Sequence, residues 1–138
     1  MTSPGRAYFR SRYGAHRAVV LSAFREETED GQALTSRILV IHGTSNAELE
    51  GPSVVVEPKT ANGEQLGLTQ RTYFYPGDAC WVWGDELERK SPIGTVSLRL
   101  VARLRQMVLE SSVRPTECGG QGEPPRTRTE IEQNAGGG

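Results

Sequence analysis

The chain has 138 residues, 36 % of them hydrophobic, and a formal net charge of -1. That length suits one domain, and the near-neutral balance excludes a polycation that holds nucleic acid by bulk charge alone. Two cysteines make neither a disulfide framework nor a CxxC metal pair, no apolar run reaches membrane-span length, and the opening MTSPGRAYFRSRYG lacks the apolar stretch of a secretory signal. The expectation is a soluble protein of the reducing cytoplasm with no membrane partner.

Charge is unevenly spread. Arg6, Arg10, Arg12, Arg17 and Arg25 precede the first acidic residue, and Glu26, Glu27, Glu29 and Asp30 follow at once. Such a cluster is either a place for a phosphate backbone or a solvated strand face beside a solvated loop. Residues 7–12 read as a weak, edge-like strand. Residues 18–24, AVVLSAF, read as a strong buried strand, and the polar EETEDGQALT as the loop after it. Residues 37–42, RILVIH, are the second strong strand, and residues 43–51 a turn-rich loop. SVVVE, residues 53–57, suits a pleat through its β-branched side chains. Residues 58–63 form a loop with an Asn-Gly turn signal. Residues 72–75 and 80–83 are short aromatic strands split by a Pro76-Gly77-Asp78 turn, and residues 94–96 a last short strand.

Residues 97–110, SLRLVARLRQMVLE, break the pattern. Leu100, Val101, Leu104, Met107 and Val108 recur at helical spacing on one face, Arg99, Arg103 and Gln106 fall mostly on the other, and Ser97 is placed to cap the N-terminus. The fold class is therefore mainly β, a small barrel closed by a C-terminal helix. Residues 4–112 form its domain. Residues 113–138 carry Gly, Pro, Thr and charge with little to bury, and are expected to be a disordered tail.

Three stretches resemble the MazF/PemK family of toxin ribonucleases. GAHRAVVLSAF, residues 14–24, is similar to the family's G-H-R-P-A-V-V-L-S-P-F. LVIHGTSN, residues 39–46, is similar to its strand ending in a Thr/Ser-rich turn. Residues 78–108, with the turn Gly94-Thr95-Val96, are similar to its closing strand, turn and helix. The resemblance implies an SH3-like barrel of the MazF/PemK/CcdB type, a homodimer, and metal-independent cleavage of single-stranded RNA without a cofactor. It also implies a cognate antitoxin whose acidic segment lies over the RNA groove. The family's working arginine falls on Arg17 and its working threonine on Thr44. Arg-Pro is replaced by Arg17-Ala18, Gly-Asp by Gly5-Arg6, the Pro before the Thr/Ser turn by His42, and the long loop before the second strand shrinks to hairpin size.

Metal-independent cleavage needs a base for the 2′-hydroxyl, a cation for the phosphoryl oxygens and an acid for the leaving 5′ oxygen. Arginine suits the second task, because its planar fork binds two oxygens at once, and is too strongly basic for the others. The two histidines, His16 and His42, flank these positions, and histidine shuttles protons near neutral pH. With Ser45 and Asn46 they are the residues expected to contact substrate. Tyr73, Phe74, Tyr75, Trp81 and Trp83 either stack unpaired bases or fill the core. Two other functions compatible with a barrel are a binding module that cuts nothing and a gyrase-directed toxin.

Overall fold

A computed structural model describes residues 3–11, 15–27, 34–47 and 51–118. The chain is mainly β. Its elements are β1 (Arg6–Ser11), β2 (Ala15–Glu27), β3 (Leu34–Thr44), β4 (Val54–Val56), α1 (Ala61–Gln65), β5 (Thr72–Trp83), α2 (Gly84–Glu88), β6 (Gly94–Thr95), α3 (Leu98–Glu110) and β7 (Thr116–Glu117). They form one curled sheet in the order β4-β5-β3-β2-β1-β6, antiparallel along that path, with β7 added to β5 in parallel. Among the described residues no helix is long and apolar enough to cross a membrane.

β2 and β3 are apolar runs rather than alternating ones because both of their faces are covered. Val19, Leu21, Leu39 and Ile41 join Phe74, Ala79 and the apolar face of α3 on one side. Ala18, Val20, Ile38 and Val40 join Tyr8, Cys80, Val82 and Leu87 of α2 on the other. Bulges between Val20 and Ser22 and between Ile41 and Gly43 bend these strands. Arg105 of α3 donates from Nε to the Leu21 carbonyl, inside the first bulge, at 2.6 Å.

The C-terminal helix is as expected. Ser97 caps it through Oγ, which accepts from the Leu100 N–H at 3.2 Å, and the five apolar residues of its stripe are all buried. The Pro76-Gly77-Asp78 turn does not split β5 in two. It is an irregularity within a continuous strand, the register jumping from Ile41↔Ala79 to Gly43↔Phe74. Asn62-Gly63 is not a hairpin turn but part of α1, capped by Thr60 Oγ1, which accepts from the Gly63 N–H at 3.0 Å. Gly63 is needed there for clearance, since a Cβ would stand 2.0 Å from the Glu57 carbonyl oxygen.

Two differences concern the C-terminal side. Cys80 and Cys118, expected as separate reduced thiols, are joined in a disulfide with Cα atoms 5.0 Å apart. β7 lies in the stretch expected to be disordered, and the Cys118 N–H donates to the Trp81 carbonyl at 2.8 Å. The remainder of that tail, residues 119–138, lies outside the described residues.

Candidate functional site

Antiparallel pairing of β2 with β3 sets Arg17 opposite Gly43. The N-terminal end of β2 and the C-terminal end of β3 therefore meet, and a cleft of about 130 Å³ opens beside them. His16, Arg17, Gly43, Thr44 and Ser45 line one wall, and Leu68, Thr69, Gln70 and Thr72 the other. Gly43 permits this closeness, because a Cβ would stand 2.6 Å from Thr72 Cγ2 and 3.0 Å from the Phe74 ring. The hairpin between β1 and β2 is short: Ser11 pairs with Ala15, and the intervening residues 12–14 lie outside the described residues.

Arg17 is held rigidly. Its Nε donates to the Leu66 carbonyl at 2.6 Å and its Nη2 to the Gly67 carbonyl at 2.9 Å, while Cζ lies 5.1 Å from the centroid of the Phe9 ring. A guanidinium has five N–H donors, and three remain after these two bonds. His16 Nδ1 is 3.1 Å from the Gly43 carbonyl oxygen. A carbonyl only accepts, so Nδ1 carries the proton, and in the neutral ring Nε2 is left as the basic nitrogen. Thr44 Oγ1 accepts from the Asn46 N–H at 3.1 Å, and the Tyr75 hydroxyl donates to the Asn46 carbonyl at 3.3 Å. The turn that carries Thr44, Ser45 and Asn46 is thus fixed from both ends.

His42 is not on the cleft wall. It is 3 % exposed and sits in a polar cluster on the sheet face covered by α2. Arg10, 1 % exposed, donates from Nη1 to His42 Nε2 at 2.9 Å and grips Glu86 of α2 with Nε and Nη2 at 2.7 and 2.8 Å. Because Arg10 can only donate, His42 Nε2 must accept, and Nδ1–H donates to the Asp78 carbonyl at 3.1 Å. The His42 and His16 ring centroids are 6.5 Å apart, so the cluster backs onto the cleft. Beside it Lys90 donates to the Phe9 carbonyl at 2.7 Å; burial lowers its pKa, against the attraction of Glu86 and with the repulsion of Arg10.

The structure thus gathers His16, Arg17, Thr44 and Ser45 in one cleft, places Asn46 behind Thr44, and sets His42 apart. The second wall and the buried Arg10–Glu86 pair were not singled out in the sequence. Strand alternation alone sets Arg10 on the same face as Tyr8, which is a signal that it points inward. Among the described residues no three His, Cys, Asp or Glu side chains converge as a metal site. Comparison of the chain with protein-family models, with curated proteins and with solved structures gave no match.

Proposed function

We propose that the chain is a toxin-type, metal-independent endoribonuclease of the MazF/PemK kind, an SH3-like barrel that cleaves single-stranded RNA. In this reading it works as a homodimer in the cytoplasm and is restrained by a cognate antitoxin. The observation that carries the reading is the meeting of Arg17, His16 and Thr44 in one cleft, with the arginine immobilised and the histidine held in one orientation. His16 Nε2 takes the 2′-hydroxyl proton, and the 2′ oxygen attacks the adjacent phosphorus. The bond to the 5′ oxygen breaks, leaving a 2′,3′-cyclic phosphate; that oxygen takes a proton from water in the open cleft, and the hydroxide left behind takes the proton held on His16. Arg17 meets the charge that builds on the phosphoryl oxygens, already fixed before the reaction begins. Thr44 and the backbone N–H groups of its turn position the phosphate.

A second reading, a barrel that binds RNA without cutting it, is favoured by the bonds that commit two Arg17 donors to backbone carbonyls. Cleavage of a mixed RNA pool by purified protein, with and without EDTA, separates the two. Cleavage that survives EDTA and yields cyclic phosphate ends supports the nuclease. Intact RNA with retained binding supports the module.

A further inference from the structure

On the opposite end of β3 from the cleft, Phe24, Arg37 and Trp83 lie directly across β2, β3 and β5 from one another, and Trp81 lies across from Leu39. The Arg37 Cζ is 5.0 Å from the Trp81 ring centroid and 5.8 Å from that of Trp83. Phe24 packs against Trp81 with centroids 5.7 Å apart. Phe24 is 54 % and Trp83 48 % exposed, so only Trp81 is drawn into the core. The rings of Trp81 and Trp83 face the Arg37 cation, Phe24 packs beside them, and the Glu117 carboxylate of β7 is paired with Arg37. That carboxylate is delivered by the residue next to Cys118, whose bond to Cys80 fastens β7 alongside β5.

We propose that Phe24, Arg37, Trp81 and Trp83 form a binding platform for unpaired nucleotides of an RNA strand, and that Glu117 occupies it in the disulfide-bonded protein. The ligand needs an anion for Arg37 and a flat ring for the aromatic faces. A nucleotide carries both. A second copy of the chain would have to bury the Arg37–Glu117 ion pair in an apolar contact, and desolvating both charges costs free energy. The choice of RNA rests on the proposed function; the platform's chemistry does not. β3 separates Arg37 from Gly43 by six positions, roughly 20 Å at the usual strand rise, so the platform is a contact separate from the cleft.

The disulfide makes the occupancy conditional. A dithiol reductant attacks one protein sulfur, the S–S bond breaks, and the reductant's second thiol resolves the mixed disulfide. Two protein thiols and an oxidised, cyclic reductant result. Glu117 then stays on Arg37 by one partly exposed ion pair and the β7 pairing alone, and a pair of that kind holds weakly.

The chain's two tryptophans are both in the platform, so tryptophan emission, excited selectively over the tyrosines, reports on it. The experiment titrates an oligouridylate of about a dozen nucleotides, within the usual site size for single strands, into the Arg17→Ala variant, which keeps the strand uncut. Quenching of tryptophan fluorescence is expected, with affinity falling as salt rises. Glu117→Gln should tighten binding several-fold, Cys118→Ser or dithiol treatment should do the same, and Trp83→Ala should weaken it roughly 5- to 160-fold, the span of base–aromatic stacking. Arg37→Ala should weaken it as well, while Trp83→Phe should retain it. Absent quenching, or affinity unmoved by both Glu117→Gln and Arg37→Ala, overturns the proposal. So does a Trp83→Ala variant that changes oligomeric state in light scattering with RNA affinity unchanged, because the patch would then be a self-contact. If the parent cuts no RNA while these variants behave as stated, the platform stands and the nuclease reading falls. If it cuts RNA with fluorescence unmoved, only the platform falls.

Discussion

Arg17 does two things at once, and its variants separate them. Two N–H groups tie the Leu66–Gly67 carbonyls to β2, and the remaining donors are the ones proposed to meet the phosphate. Arg17→Ala loses both functions: cleavage should fall about 10²-fold or more, by analogy with removal of a transition-state donor. Stability should fall by roughly 1.5–3 kcal/mol, the range for charged hydrogen bonds. Arg17→Lys keeps the charge without the fork, so it should not restore cleavage. Single-turnover cleavage beside thermal melting by circular dichroism checks both, and a folded Arg17→Ala that cuts at the parent's rate sinks the site. Thr44→Val removes a hydroxyl that accepts only one exposed N–H. It should lower cleavage while leaving the melting curve within about 1 kcal/mol of the parent, and an unchanged cleavage rate would free Thr44 of any part in the chemistry. Four of the six residues singled out in the sequence line the cleft because their spacing put them at facing strand ends. His42 was not separable from them, since its position two residues before Thr44 carries no sign of Arg10 waiting beneath it. That contact is set by the β1–β2–β3 order, and order across a sheet is not written in local spacing.

At the scale of elements, what could be read was what buries a face. The α3 stripe repeats at helical spacing over about two and a half turns, and β2 and β3 carry apolar runs rich in β-branched residues, so both signals exceed the noise of short segments. α1 and α2 are five residues each, too short for a periodic signal, and Asn62-Gly63 imitates a hairpin turn. α2 matters beyond its length, because Glu86 reaches from it to the buried guanidinium of Arg10. Removing one member of a buried pair strands the other, at a cost of about 3–5 kcal/mol; Glu86 is 23 % exposed, which places the expected loss for Glu86→Ala at the low end, about 3 kcal/mol. The double variant Arg10→Met with Glu86→Leu removes both charges and should lose less than Glu86→Ala alone. Denaturant unfolding of the three proteins checks this. A double variant no more stable than Glu86→Ala would mean that the pair contributes net stability of its own.

The whole molecule is closed at its C-terminal side by a device that hydropathy does not register. β7 docks through backbone hydrogen bonds, the Glu117–Arg37 ion pair and one covalent link, with both of its side chains exposed, so a segment without core-forming residues still belongs to the fold. From composition alone, truncation at Arg114 should leave the body unchanged; the disulfide reverses that expectation. Cys80 and Cys118 are 38 positions apart, and the chain-entropy model assigns a cross-link of that span about 4 kcal/mol through restriction of the unfolded chain. For a domain of this size a loss of about 2–4 kcal/mol lowers the melting temperature by on the order of 10 °C. A chain ending at Val113 should therefore melt on the order of 10 °C below the full chain under oxidising conditions. In the presence of a dithiol most of that gap should vanish, because the full chain has then lost its link too. A third chain ending at Gly119 keeps β7 and Cys118, and should melt with the full chain under both conditions. Differential scanning calorimetry of the three proteins with and without reductant separates the contributions. If the chain ending at Val113 melts with the full chain under oxidising conditions, the cross-link contributes nothing to the fold. If the gap persists undiminished in reductant, β7 is held by its strand pairing rather than by the covalent bond.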